Sequence, residues 1–120
     1  MKQGIVLFAH GSRDPEWSRP FEQIATTLAK KSPATPVMLA FLEHGPSLNE
    51  ALAALAAKGA AAVRIVPVFL GQGGHIKSDL PRLVGQARAA HPAMDLSLDR
   101  TIGEQPEVIE AIAAVIAETR

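Results

Sequence analysis

The sequence contains no cysteine in its 120 residues, which excludes disulfides, thiolate metal sites and thiol nucleophiles and leaves nothing that points to an oxidising compartment. Aromatic residues make up only 4%, with one tryptophan and no tyrosine, and 12 Lys and Arg are matched by 12 Asp and Glu. The stacking surface and the basic field of a nucleic-acid binder are both missing, so a small-molecule ligand is the expected partner. Long hydrophobic runs are missing as well. The opening residues, MKQGIVLF, hold one Lys and a short apolar stretch, too little for a signal peptide and far too short to span a bilayer. No membrane partner is expected, and the protein reads as cytoplasmic. Linkers, low-complexity tracts and whole-domain repeats are also lacking, and the length suits one domain, residues 1–120, that buries a core unaided.

What is present is an alternation of short apolar runs and amphipathic stretches. Ile5 to Ala9 is apolar without polar alternation, the pattern of a strand covered on both faces. Asp14-Pro15 then predicts a helix start, Asp14 as N-cap and Pro15 in the first turn, with Phe21, Ile24, Ala25 and Leu28 as its apolar stripe. Pro36 to Leu42 reads as a second strand, followed by Glu43-His44-Gly45 and by Ser47-Leu48-Asn49-Glu50, a capping box for a second helix that closes at Lys58-Gly59. Ala61 to Leu70 is the third strand, irregular at Pro67. A third helix is expected from about Asp79 to His91, opened by Ser78, Asp79 and Pro81. Asp95 to Asp99 is a weak edge strand, and a last helix carries Val108, Ile109, Ile112, Val115 and Ile116 on one face. The order βαβαβαβα predicts an α/β fold, a parallel sheet with helices on both faces and right-handed crossovers.

Ligands of such sheets bind at the carboxyl ends of the strands. His10, Glu43 and His75 all fall just past the ends of strands one, two and three. If strand one lies between two and three, His10 and His75 face each other across a crevice. Neutral imidazoles with a carboxylate suit a divalent first-row metal such as cobalt, iron, nickel or zinc. Ser12 and Arg13 follow His10, and Arg13, placed beside the exposed start of the first helix, favours an anionic ligand, as Lys77 does at the third. Phe69, Leu70 and Ile76 supply apolar contact next to His75. His44 and His91 read as ordinary, His91 as a charge at a helix C-terminus. A phosphohistidine mutase-like site would want Arg before His-Gly, where Ala9 stands. The Gly71-Gln72-Gly73-Gly74 stretch completes neither a phosphate loop nor a dinucleotide pattern.

AHGSRDP at Ala9 to Pro15, FLEHGPSLNEAL at Phe41 to Leu52 and VPVFLGQGGHIKSDLP at Val66 to Pro81, in this order and spacing, resemble the small single-domain CbiX-type sirohydrochlorin chelatases, in the class II chelatase superfamily. The resemblance covers nearly the whole chain. It implies a chelatase-like three-layer αβα fold with a four-stranded parallel sheet in the order 2-1-3-4. It also implies insertion of Co²⁺ or Fe²⁺, with Ni²⁺ a further option, into the tetrapyrrole sirohydrochlorin. The metal would be a substrate and no cofactor would be permanently bound. His10 and His75 would be the metal ligands and, with Glu43, the catalytic residues. Arg13, Ser12, Phe69, Leu70, Ile76 and Lys77 would meet the tetrapyrrole. The longer SirB-like members contain two such units, which implies a homodimer for the short form, its interface beside the strand carboxyl ends. A non-catalytic metal or tetrapyrrole carrier is the alternative. The loop GQGGH departs from the family in carrying Gly74 where a bulkier residue often precedes the histidine.

Overall fold

A computed structural model describes residues 2–71 and 73–118, the side chain of His75 excepted. Strands β1 (Gln3–Ala9), β2 (Val37–Phe41), β3 (Ala62–Pro67) and β4 (Asp95–Leu98) alternate with helices α1 (Arg19–Lys31), α2 (Leu48–Ala57), α3 (Gly74–Ala90) and α4 (Pro106–Ala117), and a 3₁₀ turn, Ile102–Glu104, precedes α4. The sheet order is β2-β1-β3-β4, all pairs parallel. The expected α/β fold and strand order 2-1-3-4 are those observed, with β4 at an edge.

β1 is the centre of the molecule because its side chains are apolar on both sides. Val6 and Phe8 point into a cluster with Ala40, Leu52, Leu55, Ile65, Leu80 and Val84, beneath α2 and α3. Ile5 and Leu7 point the other way, toward Val66, Ala25 and Leu28, beneath α1. Burying Leu or Ile side chains of this kind contributes about 1.5–3 kcal/mol each, so the α2/α3 side carries most of the stability. The capping box of α2 is present: Glu50 N–H donates to Ser47 Oγ (3.1 Å) and Ser47 N–H to Glu50 Oε1 (3.1 Å). Gly59, at φ +87°, ends that helix in the left-handed region. On the outer face of β3 and β4, Arg64 Nε donates to Asp99 Oδ2 at 3.2 Å, and this bond raises the arginine pKa.

Three boundaries differ clearly from the sequence expectation. α1 begins at Arg19, not at Asp14-Pro15, with Ser18 at its N-cap and Pro20 in its first turn. Asp14 instead caps a local turn, its Oδ1 accepting from Glu16 N–H (2.9 Å) while Trp17 N–H reaches the Asp14 carbonyl (3.0 Å). Asp followed by Pro suits a turn as well as a helix start, and the second Pro, at 20, takes the helical role. β3 ends at Pro67, which has no N–H for the ladder, although Val68 N–H still bonds Phe8 O at 2.8 Å.

α3 starts at Gly74, several residues before the expected Asp79, so Pro81 lies inside it. The apolar stripe reaches back to Ile76, which packs on the core with Leu80 and Val84. Pro81 is exposed, and the buried stripe outweighs the one helical bond that its missing N–H forgoes. α4 has the expected apolar face, but none of its residues is buried, and its contacts fall mainly on the 3₁₀ turn before it. Among the described residues, no helix is long and apolar enough to cross a membrane.

Candidate functional site

The carboxyl ends of β1 and β2 are joined by backbone bonds that run past the strands themselves. Leu42 N–H donates to Ala9 O (3.0 Å) and Glu43 N–H to His10 O (3.0 Å), while Phe41 N–H closes back onto Pro46 O (2.8 Å). Gly11 makes this closeness possible. Its φ is +96°, and a Cβ there would lie 1.8 Å from the Glu43 carbonyl oxygen. Gly45 is also tightly held, since a Cβ would come within 2.4 Å of the Phe41 ring. The sequence therefore brings His10 and Glu43 together through glycine and backbone pairing, not through a side-chain hydrogen bond.

The His10 and Glu43 side chains are about half exposed, and His10 Nδ1 lies 3.8 Å from Glu43 Oε1. His10 Nδ1 is also 3.2 Å from Gly11 O. The tautomer that donates Nδ1–H to that carbonyl leaves the Nε2 lone pair directed outward, the form in which imidazole binds a metal. His44, read from sequence as ordinary, belongs here too: its Nε2 is 3.9 Å from the same Glu43 oxygen, and its side chain is the least exposed of the three at 36%. The signal that would have found it is its position directly after Glu43 and before a glycine, on a turn that must fold back.

His75 lies in the first turn of α3, not on the preceding loop as the sequence suggested, with Gly73 as N-cap. Since β1 and β3 are neighbours, His10 and the backbone of His75 follow adjacent strand ends. Whether the two rings face each other lies outside the described residues. Among those residues, no three His, Asp or Glu side chains are grouped so as to hold a metal ion.

The other expected contacts divide. Arg13 is exposed and lies six positions ahead of Arg19, where α1 begins, not directly before the helix in sequence as expected. Ser12 Oγ is occupied by Asp14 N–H at 3.1 Å. Lys77 is exposed in the first turn of α3, where the helix dipole favours anions. Phe69 and Ile76 are partly buried against the core and so are less available to a ligand than the sequence implied, whereas Leu70 is 75% exposed. Gly103, which sequence reasoning passed over, fixes that loop: its N–H donates to Phe69 O (2.8 Å), and a Cβ on it would lie 2.1 Å from Leu70 O. Trp17 was also missed. Its ring sits 4.6 Å from Phe21 and meets Phe41 edge-on at 6.2 Å, an aromatic group next to the β2 end. The i, i+4 spacing of Trp17 and Phe21 was the available signal.

Comparison with known proteins gives a consistent result. The family model CbiX matches residues 4–119. A sirohydrochlorin cobaltochelatase of Saccharolobus solfataricus is 32% identical over 123 residues, spanning 97% of this chain and 94% of that protein. The crystal structure of a CbiX protein of cobalamin biosynthesis from Marinobacter aquaeolei superposes with a TM-score of 0.84 at 30% identity, covering 97% and 95% of the two chains. The sirohydrochlorin chelatase SirB of Bacillus subtilis, solved in complex with cobalt, gives 0.75 at 28% identity, and this chain spans 50% of its length.

Proposed function

The chain belongs to the CbiX family, and from that premise we propose that it is a sirohydrochlorin chelatase, a lyase-type enzyme that inserts Co²⁺ into the tetrapyrrole, with Fe²⁺ as the second candidate metal. The observation that carries the reading is the joined β1/β2 end, where His10 turns its Nδ1 edge to Gly11 O and the Glu43 carboxylate and leaves Nε2 for a metal.

Metallation of a tetrapyrrole replaces two pyrrole N–H protons by one divalent ion. The protein must therefore hold a partly dehydrated metal by ligands that release it, and must take up two protons. His10 and His75 are the proposed ligands, with His10 binding through Nε2. Glu43, with either imidazole once it has given up the metal, is the proposed proton acceptor. An imidazole suits both tasks because its pKa lies near neutrality. Arg13, Lys77 and the open first turn of α3 offer positive charge to the carboxylates of sirohydrochlorin, and exposed Leu70 offers apolar contact to its edge. Ser12, already accepting from Asp14 N–H, has a smaller part, holding the Arg13 loop.

Turnover separates this reading from a carrier of the same fold. Anaerobic addition of protein to Co²⁺ and sirohydrochlorin should speed the spectral change well above the spontaneous rate, and no acceleration with any tested metal would favour the carrier. A cytoplasmic location belongs to the same proposal and is tested by cell fractionation.

A homodimer is also part of it. The support is α4, whose Ile109, Ile112, Val115 and Ile116 are all exposed on a helix that leaves the 3₁₀ turn at the carboxyl end of the sheet. A second copy covering that face would bring two sets of strand ends to one side of the assembly. Sedimentation should give a dimer at assay concentration; an active monomer would end the idea that the site needs both chains.

A further inference from the structure

His44 is the only non-glycine residue at positive φ among the described residues, at +59°. Histidine is among the residues that visit this region more often than most, yet glycine adopts it far more readily. The turn around it leaves little freedom. Phe41 N–H is bonded to Pro46 O, Glu43 N–H is bonded to His10 O, and the Phe41 ring closes off the space at Gly45. This backbone directs the His44 ring to the Glu43 carboxylate. A single oxygen, Oε1, lies 3.8 Å from His10 Nδ1 and 3.9 Å from His44 Nε2. A shift of about 1 Å in that half-exposed carboxylate brings it within hydrogen-bond distance of either ring.

We infer that His44 is a positioning residue: its imidazole holds the Glu43 carboxylate beside the Nδ1 edge of His10, so that His10 keeps the orientation in which Nε2 meets the metal. The inference rests on the chelatase reading and adds a residue to it. Carboxylate partners of a metal-binding histidine raise its basicity and fix its ring, and loss of such a partner lowers metal affinity or activity about 10- to 100-fold. His44 acts one step further out, by keeping that partner in place.

Glycine gives a direct test, because the two roles His44 can have predict opposite results for it. If His44 only turns the chain, His44→Gly suits the backbone better and should bind metal and turn over at least as well as the natural protein. If it positions Glu43, His44→Gly should stay folded but lose about tenfold in Co²⁺ affinity by titration calorimetry, with a matching rise in the KM for Co²⁺ and a smaller change in kcat. His44→Asn, which tolerates the same backbone and keeps a donor, should recover much of the loss. In a Glu43→Gln background, His44→Gly should cost little more, since both act through one carboxylate.

Natural-like affinity in His44→Gly, or fully additive losses in the double variant, overturns the inference. So does a His44→Gly variant that fails to fold while His44→Asn is folded and binds no better than His44→Ala. His10→Ala separates this from the broader reading. If His10→Ala is inactive while His44→Gly is natural-like, the His44 inference alone fails. If His10→Ala is fully active, the chelatase site fails with it.

Discussion

Two glycine-bearing strand ends lie side by side in this molecule and are built on opposite terms. At the ends of β1 and β2, Gly11 and Gly45 have backbone or ring atoms within 2.4 Å of where a Cβ would stand, two backbone bonds tie the loops together, and a third closes the β2 turn on itself. At the end of β3, Gly71, Gly73 and Gly74 meet nothing within 4 Å, and none of them is at positive φ. The first set is required by close approach. The second leaves room, and the start of α3 opens there without a capping side chain. The difference teaches that glycine can mark a place where two chains of backbone touch or a place kept clear. One end closes the backbone tightly around His10 and Glu43, and the other stays open next to the helix that carries His75.

The comparison can be broken by substitution, and the largest effect is expected at Gly11. Gly11→Ala should cost about 2–4 kcal/mol in urea denaturation, since both the φ and the Glu43 carbonyl oppose a Cβ, and chelatase activity should be lost with it. A stable, active Gly11→Ala variant would mean that the joined strand ends are not needed. Next is His10→Ala, which should lower the chelatase rate about 100-fold while the melting temperature holds, because the side chain is half exposed and outside the core. Gly45→Ala should be milder, about 1–2 kcal/mol, because the atom it meets is a Phe41 ring that can yield. Smallest is Gly74→Ala, at the first position of α3, which should stay within about 1 kcal/mol of the natural protein or gain slightly from helix propensity. If Gly74→Ala nevertheless abolishes turnover with affinity for Co²⁺ unchanged, the open space is used by the tetrapyrrole, which would sharpen the contrast.

The stability of the fold should be insensitive to the Arg64–Asp99 pair around neutral pH. A raised arginine pKa contributes stability that is present below the unfolded value and is lost only as pH climbs through the folded one, at strongly alkaline pH. A stability profile that changed between pH 6 and about pH 9 would have to come from other groups.

Local pattern in the sequence determined the eight main elements, their alternation, the capping box at Ser47 and Glu50, the edge position of β4 and the placing of His10 and Glu43 at strand ends. Each of these follows from neighbours within a few residues, through hydrophobic period, a cap or a turn, and chain connectivity then demands parallel strands. Tertiary structure alone decided where α3 begins, because Ser78-Asp79 is an equally good local start and the choice fell to the core contact of Ile76. It also decided that His44 turns to Glu43, that Ile76 faces inward while Leu70 faces out, and that α4 keeps its apolar face uncovered. These depend on which surfaces meet across the chain, and the energies of such contacts are set by residues tens of positions apart that no local pattern in the sequence can pair.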